Sequence, residues 1–275
     1  MNKARLTLLF AALASVAILL VPSAPGQAPT GKGAKGGGGA KGGGAKGKGK
    51  QTPQSAAAID MTGTWVSVVT EDWMFRMVTP PKGQMLGVPV TGAARAAANA
   101  WDPAADEAAG NQCRAYGAAG VMRQPGRVRI SWDGDSVMKI ETEAGTQTRL
   151  YKFGSTNEAP VASNVAAEAA SWQGVSTAEW ETAATAAGAP KAGDLKVVTT
   201  RLKPGYVRKN GVPYSANTIL TEYYDVHTGD NGDVWLVVTT QVHDPENFTT
   251  DFITSTHFKK LGANAPWKPE ACSAR

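Results

Sequence analysis

The chain has 275 residues, with 28 Lys and Arg against 23 Asp and Glu, and a formal net charge of +5. Eight of the cations and none of the acids lie in residues 1–59, so residues 60–275 carry a net −3. The basic character belongs to the N-terminal tail, which argues against a basic nucleic-acid-binding domain, and no nucleic-acid partner is expected.

Lys3 and Arg5 precede an apolar run from Leu6 to Val21, and Ala24-Pro25-Gly26 is a cleavage signature before Gln27. A short apolar run with a basic start fits an export signal over residues 1–26 better than a membrane span, which needs roughly 20 apolar residues. An uncleaved anchor is the alternative. No cysteine follows the run for lipid attachment, and no later stretch is apolar enough to span a bilayer. The expectation is an exported protein, periplasmic or secreted, with no transmembrane span after signal removal. Residues 27–59 are rich in Gly, Lys and Ala and predict a disordered, solvated linker. Lys32, Lys35, Lys41, Lys46, Lys48 and Lys50 suggest a tether to an anionic envelope polymer or lipid head groups. A solubilising spacer is the plainer reading, because scattered lysines bind weakly and in a salt-dependent way.

Residues 60–275 suffice for a single β-barrel-like domain. Met61 to Thr70 opens it as a strand, with Trp65 packed under the sheet. Glu71 to Val78 predicts a second strand, ended at Pro80-Pro81. Thr91 to Trp101 predicts an alanine-rich helix with Thr91 as cap and Pro103 as its stop. Asp102 to Ala119 predicts a loop holding Cys113. Its Asp102, Asp106 and Glu107 match no oxygen-ligand loop and read as a solvated helix end. Cys113 and Cys272 are the two cysteines, and an even count in an exported chain predicts a disulfide. Two unpaired buried thiols are the alternative.

Val128 to Phe153 predicts three strands joined at Asp133-Gly134-Asp135 and Glu143-Ala144-Gly145. Residues 154–170 predict a connection or short helix. A strand region follows from Ser171 to Trp180, then an inserted loop over residues 182–193. Leu195 to Lys203 predicts a strand and Lys203 to Ser215 a basic, aromatic loop. Asn217 to Lys260 holds three β-branched and aromatic runs, a second antiparallel meander. Pairing its first two strands about Asp230 and the last two about Asn247 sets the register. One face then collects Leu220, Glu222, Tyr224, Val226, Val234, Leu236, Val238, Thr240, Val242, Phe252, Thr254, Thr256 and Phe258. This face should point inward, with Glu222 beside Val238. Nine or ten strands with short turns and no βαβ alternation predict an antiparallel up-and-down, lipocalin-like barrel or strongly curled sheet with one short helix.

Gly63-Thr64-Trp65 is similar to the glycine–any–tryptophan opening of lipocalins, where the tryptophan closes one barrel end. Further on, P-G-R-V-R-I-S-W, T-R-L-Y, W-Q-G-V-S-T-A-E-W-E, D-L-K-V-V-T-T, G-V-P-Y-S, T-E-Y-Y and H-D-P-E-N-F-T-T-D-F follow in that order. This order resembles a set of exported bacterial β-rich proteins with no assigned activity. The resemblance runs from about Trp65 to Phe258 and implies a lipocalin-like antiparallel barrel. It departs at Tyr223, where that set tends to carry arginine after glutamate, and in the 182–193 insertion.

The same register separates His227 from His243 by about 30 Å, at ~3.3 Å per residue, and keeps His257 far from His243. No metal site is expected. There is no Gly-x-Ser-x-Gly elbow, neither cysteine has a histidine nearby in sequence, and the glycine-rich run 36–44 is no phosphate loop. The residues lean away from an enzyme, and no cofactor is expected. Glu222 is the one charge on the inward face, and burying it requires a partner. Arg149, mid-strand between Thr148 and Leu150, is the expected partner. The pair reads as an internal ion pair holding the barrel, as a polar anchor under a ligand, or, least, as acid–base machinery. A barrel of this strand count can hold a small apolar ligand, with Trp65, Arg149, Tyr151, Trp180, Glu222, Tyr224 and Phe258 as candidate lining. The alternative function is a non-enzymatic envelope structural or interaction protein tethered by its basic tail.

Overall fold

The computed structural model describes residues 51–154, 169–184, 186, 189 and 191–275. The signal over 1–26, the stretch that holds Lys32 to Lys50, and residues 155–168 of the 154–170 connection lie outside the described residues. The elements in chain order are α1 (Pro53–Ala56), β1 (Gly63–Val68), α2 (Trp73–Arg76), α3 (Gly92–Ala100), α4 (Pro103–Ala108), α5 (Ala118–Val121), β2 (Arg127–Trp132), β3 (Val137–Thr142), β4 (Gln147–Phe153), β5 (Val175–Ala183), β6 (Ala192–Thr200), β7 (Gly205–Arg208), β8 (Val212–Tyr214), β9 (Ile219–Thr228), β10 (Val234–His243) and β11 (Phe252–Lys260).

Nine strands close a barrel in the order β1-β11-β10-β9-β6-β5-β4-β3-β2, and β7 and β8 form a separate hairpin. Closure leaves no barrel strand with an unpaired edge, the reason a chain this rich in strands curls on itself. The mainly β, lipocalin-like barrel expected from the strand pattern is the fold. Its antiparallel order has one exception: β4 and β5 pair parallel, Tyr151 opposite Ser176. Residues 154–174 lie between them, a length that allows the return a parallel neighbour needs.

The meander at the C-terminal end follows its alternation. Glu222 lies opposite Thr240 rather than Val238, so the β9–β10 pairing is displaced by two residues from the expected one. The turn sits at Gly229–Asp233, where the Gly229 N–H donates to the Asp233 carbonyl (2.8 Å) and Gly232 has φ +81°. A shift of two preserves the faces, because side chains alternate with period two. Leu220, Glu222, Tyr224, Leu236, Val238, Thr240, Val242, Phe252, Thr256 and Phe258 are all buried.

Several local expectations change, and the one short helix expected becomes five among the described residues. Glu71 to Val78 is not a strand: Asp72 turns left-handed (φ +50°) and α2 follows. Its Trp73, Met74, Met77 and Val78 are exposed while Arg76 is buried, the reverse of a strand's apolar face. Pro103 does not merely stop α3; it occupies the first turn of α4, where its missing N–H costs nothing, and Asp102 caps Ala104 and Ala105. The expected loop 102–119 therefore contains α4, the start of α5 and a 3₁₀ turn at Arg114–Tyr116. Lys203 to Ser215 is largely the β7–β8 hairpin, turned by Gly211 at φ +82°. Thr182, Ala183, Ala192 and Gly193, expected in a loop, extend the β5–β6 ladder.

Residues 51–59, read as the end of the linker, join the folded unit. The Trp180 indole donates to the Pro53 carbonyl (2.9 Å), and the Gln54 N–H to Asp135 (3.1 Å). Two apolar clusters fill the interior. One lies inside the barrel around Trp65, Ile140, Leu195, Leu236 and Phe258. The other joins α3, α5 and the β7–β8 hairpin to Leu220, Val242 and Phe252 of the barrel wall, forming a cap over that end. The Cys113–Cys272 disulfide is present and ties the C-terminal segment to the cap. Among the described residues, no helix is long and apolar enough to cross a membrane.

Candidate functional site

Between the two apolar clusters lies a polar layer. Arg149 on β4, Ser176 on β5, Thr199 on β6 and Glu222 on β9 come from four successive barrel strands and point inward. Arg149 meets Glu222 across the lumen as a bidentate pair, Nη1 to Oε1 at 2.9 Å and Nη2 to Oε2 at 2.5 Å. Neither side chain is exposed (0 %). Arg149 Nη2 also donates to Thr199 Oγ1 (3.3 Å), which shares a hydrogen bond with Ser176 (2.7 Å). The Tyr224 hydroxyl donates to Glu222 Oε1 (3.2 Å) and meets the Tyr151 hydroxyl, while the Arg149 guanidinium stands 4.9 Å from the Tyr151 ring centre.

The electrostatics follow from enclosure. Burial works against the Arg149 charge, but the Glu222 carboxylate outweighs it and holds the guanidinium well above its ordinary value. Burial pushes both the Tyr151 and Tyr224 phenols up, and for Tyr224 the neighbouring Glu222 charge adds to it. Both phenols are therefore protonated donors across the physiological range. The layer satisfies a buried carboxylate with two guanidinium nitrogens and one phenol, the condition for tolerating an ion pair out of water. Arg149 Nε and the Thr240 hydroxyl, opposite Glu222, have no hydrogen-bond partner.

Of the residues singled out from sequence, Arg149, Tyr151, Glu222 and Tyr224 come together in this layer. Trp65 and Phe258 are fully buried in the barrel cluster, with the Trp65 indole donating to the Met61 carbonyl (2.9 Å). Trp180 stands apart, stacked on Phe153 (5.5 Å), which in turn meets Trp132 (5.5 Å). The histidines are scattered: His227 is opposite Trp235, His243 bonds Asp251 (2.7 Å) and His257 faces Glu71 (3.2 Å). Among the described residues, no three His, Cys, Asp or Glu side chains gather as metal ligands. Asp102 caps α4, and Asp106 accepts from Arg114 (2.9 Å) and Tyr206 (2.8 Å).

No protein-family model, no curated protein and no solved structure matches this chain. Function is therefore argued from the sites themselves.

A second polar cluster escaped the sequence reading. Arg76, Arg123 and Arg208 are 7 %, 5 % and 3 % exposed and gather in the cap around Glu71 and Asp72. They come from three distant segments with no shared spacing, so no local pattern announces them. The E-D-W-M-F-R run that supplies Glu71, Asp72 and Arg76 was itself read as a strand.

Proposed function

We propose that this chain is an exported, non-enzymatic binding module that works through the outside of its capped barrel. The observation that carries this is the contrast between inside and outside. Arg149, Tyr151, Glu222 and Tyr224, the residues best suited to anchor an internal ligand, are spent on one another at 0–1 % exposure. On the cap side, Trp73, Met74, Met77, Val78, Leu86 and Ile253 are each more than half exposed. Contiguous exposed apolar surface marks interaction sites, and four of these side chains lie within the single stretch 73–78. This reading keeps the lipocalin-like architecture and moves the ligand from the lumen to the rim. Export accords with the apolar N-terminal run and with the disulfide, which suits an oxidising compartment.

Native mass spectrometry of the protein purified from its host tests it. A co-purified small molecule that is retained by the wild type and lost from a Leu86→Ser/Ile253→Ser double variant is the expected result. Retention by that variant, with loss on Tyr224→Phe, would place the ligand in the lumen and overturn the reading.

A second reading, an envelope interaction protein held by its tail, draws on the segregation of charge between residues 1–59 and the rest. Deleting residues 29–50 would then release the protein from cell-wall or membrane fractions at low salt. Unchanged fractionation counts against it.

A further inference from the structure

The stretch from Trp73 to Leu86 turns its apolar side chains outward and its arginine inward. Trp73, Met74, Met77, Val78 and Leu86 are 54–68 % exposed, while Arg76 is buried. The backbone beneath them is held by buried side chains of the cap. Arg76 Nε donates to the Arg123 carbonyl (2.9 Å), and Asn210 Nδ2 donates to the Pro81 and Gln84 carbonyls (3.1 and 2.8 Å). Arg208 Nη1 donates to the Leu86 carbonyl (2.8 Å), and its guanidinium lies over the Phe75 ring (4.6 Å). Gly83 (φ +79°) and Gly87 (φ +77°) turn the chain on either side of Leu86. The exposed apolar side chains thus stand on a fixed backbone, and covering them costs little further ordering.

Charge indicates what covers them. From Trp73 to Val90 the sequence holds no acid, and Lys82 is exposed. Below, the three guanidiniums of Arg76, Arg123 and Arg208 face the two carboxylates of Glu71 and Asp72. One cation in excess beneath and one beside give this surface a positive potential. Asp251, which lines the same hollow as Gly87, is already bonded by Gln241 and His243. The six lysines from Lys32 to Lys50, with no acid among them, add charge of the same sign to the chain. A protein partner would ask for about one hydrogen bond per 100–200 Å² of contact. The exposed polar side chains of 73–86 are Lys82 and Gln84, and Gln84 already accepts from the Leu86 N–H (3.3 Å). Tryptophan and aliphatic side chains flanked by a lysine, with few hydrogen-bonding groups, match the head-group boundary of a bilayer. The helix α2 is four residues long, so the contact is with one face of the membrane.

From this we infer that Trp73–Leu86 is a docking prong for an anionic bilayer surface. Trp73, Met74, Met77, Val78 and Leu86 enter the head-group boundary, and Lys82 meets the lipid phosphates. Apolar insertion combined with basic charge is the pair of signals that membrane anchoring takes. The inference rests on the surface-binding reading and names the partner of that surface.

Flotation of the full chain with vesicles of phosphatidylcholine alone, and of phosphatidylcholine with one quarter phosphatidylglycerol, tests it. The mixed vesicles should take up the protein at least about fivefold better, the share of one lysine near a charged surface. Trp73→Ser/Met77→Ser, at exposed positions, should lower that uptake by at least about tenfold with an unchanged melting temperature. Leu86→Ser should lower it too, and Lys82→Gln should lower it about fivefold on the mixed vesicles alone. Equal uptake by both vesicles, still lost from Trp73→Ser/Met77→Ser, overturns the anionic assignment. Uptake indifferent to the apolar changes but lost on deletion of residues 29–50 overturns the prong and moves the contact to the tail. No uptake, with self-association in sedimentation that Trp73→Ser/Met77→Ser abolishes, overturns the lipid partner in favour of a second copy and leaves the surface-binding reading intact. No uptake and no self-association overturns the inference, and retention of a co-purified molecule by Leu86→Ser/Ile253→Ser decides the surface-binding reading separately.

Discussion

Replacing Glu222 by Gln would leave the Arg149 guanidinium charged in a site where neither side chain is exposed. The new amide turns N–H toward N–H at one of the two contacts, now 2.9 and 2.5 Å. Breaking a buried pair from one side costs about 3–5 kcal/mol, because the remaining charge has neither water nor a partner. For a domain of roughly 150–250 residues, each kcal/mol moves the midpoint by about 2–4 °C, so the melt should fall by about 10 °C. The double variant Arg149→Met/Glu222→Leu removes both charges at similar volume and should recover most of that loss. Thermal and urea unfolding followed by circular dichroism, with the Cys113–Cys272 bridge oxidised, measures both. A Glu222→Gln variant within about 1 kcal/mol of wild type would refute the dry ion pair. So would a double variant as unstable as the sum of its singles, since a true pair is non-additive.

Asp244 supplies the acid-side test. Burial alone would raise its pKa, but hydrogen bonds from the Ser215 N–H (2.6 Å), Asn247, and the Ser215 and Thr218 hydroxyls bring it below the usual aspartate value. A depressed carboxylate stabilises above its unfolded pKa of about 3.9 and loses that contribution as pH falls through the folded value. Asp244→Asn should therefore be less stable than wild type at pH 6, and the gap should close below about pH 4 in acid titrations of the urea midpoint; a gap constant down to pH 2 would refute this. The disulfide spans 159 residues of sequence, so Cys113→Ser/Cys272→Ser should cost about 2–5 kcal/mol in denaturant midpoints, with hydrogen exchange first released in residues 265–275. The loss should stay below a collapse of the fold, because Lys268 and Glu270 N–H groups are also held by Glu143 (2.6 and 2.8 Å). An unchanged midpoint would mean the backbone contacts alone anchor the terminus.

Period-two alternation in the strands of Asn217–Lys260 was enough to sort inward from outward side chains and to mark Glu222 as an enclosed charge, while the buried Asp244, in the turn after β10, went unmarked. The sorting survived an error of two residues in pairing, because any even shift returns each side chain to the same face. Arg149 was named as the partner from its mid-strand place between Thr148 and Leu150; the alternation of β4 puts it on the buried face with Tyr151, while Leu150 points outward. Turn chemistry at Gly134 and Gly145, both at positive φ, marked the other meander, and Thr91 marked the helix start. The alanine-rich cap was far less legible, since helices of four to nine residues carry too few turns for a period to show.

Local pattern, then, determined the strands, their faces, and that a charge was buried. Tertiary structure decided what met it. Arg149 and Glu222 are 73 residues apart and reach each other only because β4, β5, β6 and β9 curl until their inner faces oppose. The parallel β4–β5 joint and the gathering of Arg76, Arg123 and Arg208 have the same origin. Closure of the barrel and docking of the cap bring remote segments together by burying apolar surface, a non-directional force that leaves no spacing in the sequence. The charges that such burial traps must then find one another or a ligand.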